Sequence, residues 1–195
     1  MNVFYLDKQP TDCAKFHVDK HVVKMNVEYA QLLSTAHRVL DGELWYDKTA
    51  NGRSIKRWRH TDQWRDDILY KASHVNHPSN IWCRASKDNY DWLYQLFLAT
   101  LDEYTYRYGK IHGCAKMVHV LREAPQNIPD VGFTQPTPAM PDQYKTSDAI
   151  QAYRQYYIGE KSGFAVWKNR ETPAWFLEEN YKKVLDNAEN PAIIT

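Results

Sequence analysis

The chain has 195 residues, with 25 Lys+Arg against 24 Asp+Glu and a formal net charge of +1. That length supports one hydrophobic core without disulfide or metal staples, and a 43% apolar share beside 25% charged residues excludes wholesale disorder. Near-neutral charge excludes a uniformly basic coat for nucleic acid but leaves room for a local basic patch.

Read in chain order, Val3–Leu6 is a short extended stretch. A helix is predicted from Asp12 to Leu40, with Pro10 before it and Thr11 or Asp12 as N-cap. Its apolar stripe, Val18, Val22, Met25, Tyr29, Leu32, Leu33, Ala36 and Leu40, keeps a helical period, and Gly42 stops it. Residues 41–61 read as an irregular loop carrying Arg53, Lys56, Arg57 and Arg59 around Trp58. A short helix is predicted over Asp62–Tyr70. Pro78 then pushes His77 away from helical angles. A second long helix spans Ser79 to Tyr108, with Trp82, Tyr90, Leu93, Leu96, Phe97 and Leu101 inward and Gly109 as its stop.

A shorter helix covers Ala115–Glu123. Residues 124–145 form a loop punctuated by Pro125, Pro129, Pro136, Pro138 and Pro141; such a loop is functional or pinned to the surface. Ser147 and Asp148 cap a helix that runs through Tyr157. The segment Glu178–Ala188 has helical propensity, and residues 190–195 read as frayed. The sum is a mainly α, single compact helical domain over residues 1–176 with long loops, followed by a C-terminal helix and tail over 177–195.

No apolar run approaches the roughly 20 residues that span a bilayer, and the first residues lack the basic and apolar regions of a signal peptide. Cys13, Cys83 and Cys114 cannot all pair and form no Cys-x-x-Cys, so they read as reduced thiols of a cytoplasmic protein.

The first helix carries the richest polar selection. His17, His21, Lys24 and Glu28 follow at i, i+4, i+7 and i+11, on one helix face, flanked by Asp19 and Lys20. Together they offer acid, base and cation to one small site. The plainer reading makes them surface residues, with Lys24 and Glu28 a weak ion pair. His17 and His21 could share an ion, but no third ligand is identifiable, so neither metal nor cofactor is expected. The basic cluster around Trp58 suits phosphates and base stacking; its plain alternative pairs the arginines with Asp62, Asp66 and Asp67. His74, Asn76 and His77 precede Pro78 and either cap the helix that follows or contact the site.

The order of these motifs resembles the phage endonuclease V type of pyrimidine-dimer DNA glycosylase. Asp19-Lys20-His21 followed by Glu28 matches its first-helix pattern. Asn76-His77-Pro78 stands before the second long helix, and Glu160-Lys161, Arg170, Pro173, Trp175 and Phe176 stand near the C-terminus. The resemblance implies a helical glycosylase that removes a damaged or modified pyrimidine, with an accompanying strand-cleaving lyase step. Its nucleophile is an α-amine, here that of Met1, with Lys20 or Lys24 as substitutes. An α-amino group has a pKa near 8. Glu28 would stabilise the sugar cation, and His21 and Lys24 would complete the catalytic set. Asn2, His17, Asp19, Lys20, Asn76 and His77 would bind substrate. Arg53, Lys56, Arg57, Trp58 and Arg59 would hold DNA, taken as a duplex and bound by a monomer with no membrane contact. Uncharged Val27 and Gln31 stand where that family carries arginines, which leaves the recognised base open. Two other readings use the same residues: a non-catalytic nucleic-acid or nucleotide-binding module, and a nucleotide or nucleoside hydrolase using Glu28 with His21.

Overall fold

The expected first helix is two helices. In the computed structural model, which describes residues 1–179 and Lys182, α1 spans Pro10–Phe16 and α2 spans Asp19–Asp41. Pro10 opens α1 from inside its first turn, where a missing N–H costs nothing; Gln9, not Thr11 or Asp12, is the N-cap. The chain leaves helical angles at His17 and Val18. Arg107 is the cause. Its guanidinium takes the Lys15 and His17 carbonyls at 2.9 Å each, the Glu103 carboxylate at 2.7 Å and the Asp19 carboxylate at 2.8 Å. Burial pushes the Glu103 carboxyl up, but hydrogen bonds from Arg170 and Arg107 win and hold it below its ordinary value.

The second long helix is also divided. α4 covers Pro78–Cys83 and α5 covers Lys87–Tyr108, with a short α3 at Gln63–Ile68 before them. The break is stabilised from the proline-rich segment: Lys87 N–H donates to the Pro129 carbonyl at 2.8 Å, and Asn89 bridges the Trp82 carbonyl and Thr134. Gly109 ends α5 in the left-handed region at φ 63°, open to glycine without strain.

α5 packs across both α1 and α2. The predicted stripes meet in one core: Met25, Tyr29, Leu32 and Leu33 cluster with Leu93, Leu96 and Phe97, all at 1% exposure or less. Each such side chain contributes about 1.5–3 kcal/mol on leaving water. A 3₁₀ turn at Gly113–Met117 and α6 at Val118–Leu121 replace the single helix expected over 115–123. α7 spans Ala149–Glu160, capped by the Asp148 carboxylate on Ile150 N–H. Residues 174–179 are helical and Phe176 is buried; the rest of the expected C-terminal helix and tail lies outside the described residues.

Residues 41–61 are not an irregular loop. β1 (Gly42–Lys48) and β2 (Ser54–His60) pair antiparallel, from Gly42 opposite His60 to Lys48 opposite Ser54. Asn51-Gly52 at the turn, with Gly52 at φ 78°, is the strongest short-range hairpin signal a sequence carries. Gly42 is required by close approach: a Cβ there would meet the Arg38 carbonyl oxygen at 2.4 Å. Arg38 holds the hairpin base, donating to the carbonyls of Trp58, Asp66, Leu69 and Tyr70 and to the Asp66 carboxylate.

Val3–Leu6 is buried but pairs with no strand among the described residues. Side chains satisfy its backbone instead: Cys13 Sγ takes the Leu6 N–H, and Arg154 donates to the Leu6 carbonyl at 2.9 Å. Among the described residues no helix is long and apolar enough to cross a membrane.

Removing Arg107 leaves Glu103 with one cationic partner and two helix-end carbonyls unpaired. Arg107→Met is expected to destabilise the fold by about 3–5 kcal/mol, the cost of breaking a buried pair. Urea denaturation measures it, and a loss below about 1 kcal/mol, the size of a surface pair, would show that the α1–α2 break does not depend on this guanidinium.

Candidate active site

The N-terminal segment runs antiparallel to α2. Its start meets Glu28 and its middle meets His21, two turns or about 10 Å back along the helix. The Met1 amine lies 3.6 Å from Glu28 Oε2, and the Asn2 N–H donates to the same oxygen at 3.2 Å. Lys24 Nζ holds the other oxygen at 2.9 Å from a largely solvent-exposed position. Glu28 thus sits between two cations with its own side chain 12% exposed. A carboxylate against an amine can take its proton and can face a cation that develops there.

Asn2 fixes this arrangement. Its amide donates to the Ala139 carbonyl at 2.9 Å, and its oxygen accepts from Val3 N–H and from Tyr153 Oη at 2.7 Å. The expectation that Asn2 binds substrate is corrected: its side chain is committed to anchoring the terminus. His17 is corrected likewise. It is wholly buried as the C-cap of α1, with Nδ1 on the Cys13 carbonyl at 2.7 Å and Nε2 on Tyr29 Oη at 2.6 Å. His21 stacks on Phe4 at 4.3 Å and bonds Tyr157 Oη at 2.5 Å. Two turns from the amine, it positions the N-terminal segment through Phe4. With both His17 nitrogens engaged, the pair cannot share an ion. Burial lowers the His17 pKa to about 4 and that of His21 to about 3, with His17, Lys161 and Lys24 adding to the second shift.

Asp19 is held by Arg107 and by the Lys168 N–H at 2.9 Å, so it serves the fold and does not reach into the site. Lys20 lies 4.6 Å over the Phe164 ring on the exposed side of α2. His77 caps α4 through Ser79 N–H at 3.2 Å. Burial lowers its pKa, the charges at the N-terminus and His74 add to that, and Glu28 opposes it. Its ring therefore belongs to the same charge cluster as Met1 and Glu28. Asn80 makes the physical link, reaching the Met1 sulfur and the Ser73 and His74 carbonyls.

From His77 a groove of about 740 Å³ runs between the 72–77 segment and strand β2, reaching Lys56, Arg57 and Trp58. Asn76 lines it and is exposed. The basic residues do not form one patch. Alternation along β2 puts Lys56 and Trp58 on one face and Arg57 and Arg59 on the other, while Arg53 sits at the turn. Arg57 approaches Asp47 at 3.8 Å, and Arg59 lies 5.7 Å from the Trp45 ring. The acidic residues expected to neutralise them are taken elsewhere: Asp66 by Arg38, and Asp62 by Arg65 at 3.8 Å.

His74 lines the groove, at a left-handed φ of 49°; sequence reasoning missed Trp45 and Tyr46, which β1 exposes beside the cations. The Asn51-Gly52 turn was the available signal for the strand that carries these two. One set of three metal-type ligands converges among the described residues, His37, Asp41 and His60, away from Glu28. Comparison of the chain with protein-family models, curated proteins and solved structures finds no match.

His17 and His21 are neutral in the fold and have pKa values below the unfolded value of 6.5. The stability they carry is complete above pH 6.5 and declines as pH falls toward 4 and 3, because the unfolded chain takes up their protons first. Each is expected to contribute a slope approaching 1.4 kcal/mol per pH unit across that window. Urea midpoints between pH 7.5 and 5 check this. An equal slope in His21→Gln would show that His21 is not buried as a neutral ring.

Proposed function

We propose that the chain is a DNA N-glycosylase on an endonuclease V-like scaffold, with the Met1 α-amine as nucleophile and Glu28 as its carboxylate partner. The observation that carries this reading is the 3.6 Å approach of that amine to Glu28; His77, whose ring feels both charges, leads from there into the groove lined by Lys56, Arg57 and Trp58. Glu28 takes a proton from the ammonium, and the freed lone pair attacks C1′ of a damaged or modified pyrimidine nucleotide. The glycosidic bond breaks, and its electron pair leaves with the base. The departing base takes up a proton, the C1′ nitrogen gives up one, and its lone pair then opens the C1′–O4′ bond as O4′ is protonated; the resulting sugar iminium is a cation, which Glu28 faces. Loss of a C2′ proton then expels the 3′ phosphate, giving the lyase step. Lys24 holds Oε1 and leaves Oε2 for the amine.

The hairpin supplies the grip. Arg53, Lys56, Arg57 and Arg59 take phosphates, and exposed Trp45 and Tyr46, with Trp58, offer stacking faces. Such contacts offset the few kcal/mol needed to extrude a base from a duplex. The same exposed aromatics and cations also support a second reading, a nucleic-acid-binding protein without chemistry.

Borohydride trapping on a duplex with one abasic site, then on modified-pyrimidine duplexes, separates the two. The expected result is a covalent adduct mapped by mass spectrometry to the N-terminal residue, lost when the amine is acetylated. Glu28→Gln should lower single-turnover release by about two to three decades, the loss typical of one preorganised electrostatic contact. Lack of an N-terminal adduct on every duplex would reject the amine mechanism and leave binding alone. In Arg57→Ala with Arg59→Ala, the salt slope of DNA affinity should fall by about 0.9 for each phosphate no longer neutralised; an unchanged slope would take these arginines off the DNA path.

A further inference from the structure

We infer that His37, Asp41 and His60 form a divalent metal site of the zinc class at the root of the hairpin. This goes beyond the glycosylase reading and does not depend on it. His37 and Asp41 are one turn apart at the end of α2, and His60 is the last residue of β2, paired across from Gly42. Their nearest ligand atoms all lie within 4.8 Å of one another. Two imidazole nitrogens and a carboxylate oxygen are a donor set suited to zinc.

Hydrogen bonding favours this over a coincidence of side chains. Tyr90 Oη donates to the Leu121 carbonyl at 2.8 Å, so it accepts from His37 Nε2–H at 2.9 Å. That fixes the His37 tautomer and leaves Nδ1 a buried lone pair that accepts no hydrogen bond, on a ring beside which the Glu123 backbone favours positive charge. His60 Nε2 is likewise buried without a partner. Among the described residues neither of these buried ring nitrogens is hydrogen-bonded, to the other or to anything else, and both rings belong to the cluster that converges with Asp41. Asp41 is oriented by the backbone N–H groups of Gln126 at 2.7 Å and Asn127 at 3.0 Å. Outer partners of this kind fix the direction of metal ligands.

His60 Nδ1 accepts the Asp62 N–H at 3.0 Å, so without metal its proton sits on Nε2. Ligation through Nε2 moves that proton to Nδ1 and releases the Asp62 N–H to solvent, where Asp62 already lies. One ordinary hydrogen bond is a small cost beside the binding free energy of a structural metal. Arg65 is the cation whose charge acts on both rings, opposed by Asp41, and its Nη1 is held by the Val120 carbonyl at 2.8 Å. The ion would tie the hairpin to the end of α2, in line with the Arg38 contacts next to it.

The full chain, stripped with chelator and dialysed, is titrated with Zn²⁺ against a chromophoric competitor and with Co²⁺ for its visible absorption. Wild type is expected to bind one equivalent, to show a Co²⁺ band of low-symmetry nitrogen/oxygen coordination, and to gain roughly 5–10 °C in Tm at free zinc a hundredfold above Kd. His60→Gln and Asp41→Asn should each weaken binding about a hundredfold or more and lose the Tm gain. If His60→Gln fails to fold, Asp41→Asn decides by the same readings. Wild type without a saturable single equivalent overturns the site, and so does zinc binding that is equal in wild type and in a folded variant.

Discussion

A single buried guanidinium organises the helical half of this molecule. Arg107 reaches from α5 to the end of α1 and the start of α2, and has no exposed side-chain surface. A charge taken out of water is tolerable only when its donors are met by charge and carbonyl partners. Here Glu103, Asp19 and two main-chain oxygens meet it. Those oxygens are available only because α1 ends at Phe16, so the guanidinium and the helix break require each other. The break in turn lets α1 and α2 each pack against α5 as separate helices.

Arg38 plays the corresponding part for the hairpin. It gathers carbonyls from β2, α3 and the segment after α3 into one buried cluster. The two-stranded sheet is too small to hold itself in water. It gains its order from that arginine, from the tight approach at Gly42 and from the packing of its base on α2. The groove beside β2 inherits its shape from these contacts. The candidate cation grip and the candidate metal cluster therefore share one support.

The helical periods were legible in the sequence because burial repeats at 3.6 residues over several turns of α2 and α5. Their interruptions were not. The partners that make the breaks stable are Arg107, some ninety residues beyond His17, and Pro129 and Thr134 in a loop whose path no local pattern reveals. The pairing of Glu28 with the chain's first amine could be anticipated from helix spacing and resemblance. The burial of His17 and the anchoring of Asn2 could not, since both depend on Tyr29, Tyr153 and Ala139 being brought together by the fold. The hairpin is a different case. Its Asn51-Gly52 turn was present in the residues, but neither strand alternates cleanly, and a dense run of Arg and Lys reads as solvated loop. His60 joins His37 and Asp41 only through strand register, which is set after the hairpin forms.

The N-terminal stretch reaches its partners late. Asn2 is tied to Ala139 and Tyr153, and Leu6 to Arg154, contacts spanning well over a hundred residues. A chain growing from the ribosome makes Met1 long before these partners. Helix α2 can form early around its own stripe, but the terminus must wait, with its apolar residues uncovered, until α7 has emerged. Such non-local closure is slow by nature, and it leaves Val3–Leu6 as an unpaired apolar strand in the nascent chain, open to chaperones and to other chains. The anchor that holds the first amine against Glu28 is thus complete only after Ala139 and Tyr153 have been made, and a stop before them leaves Asn2 without those partners.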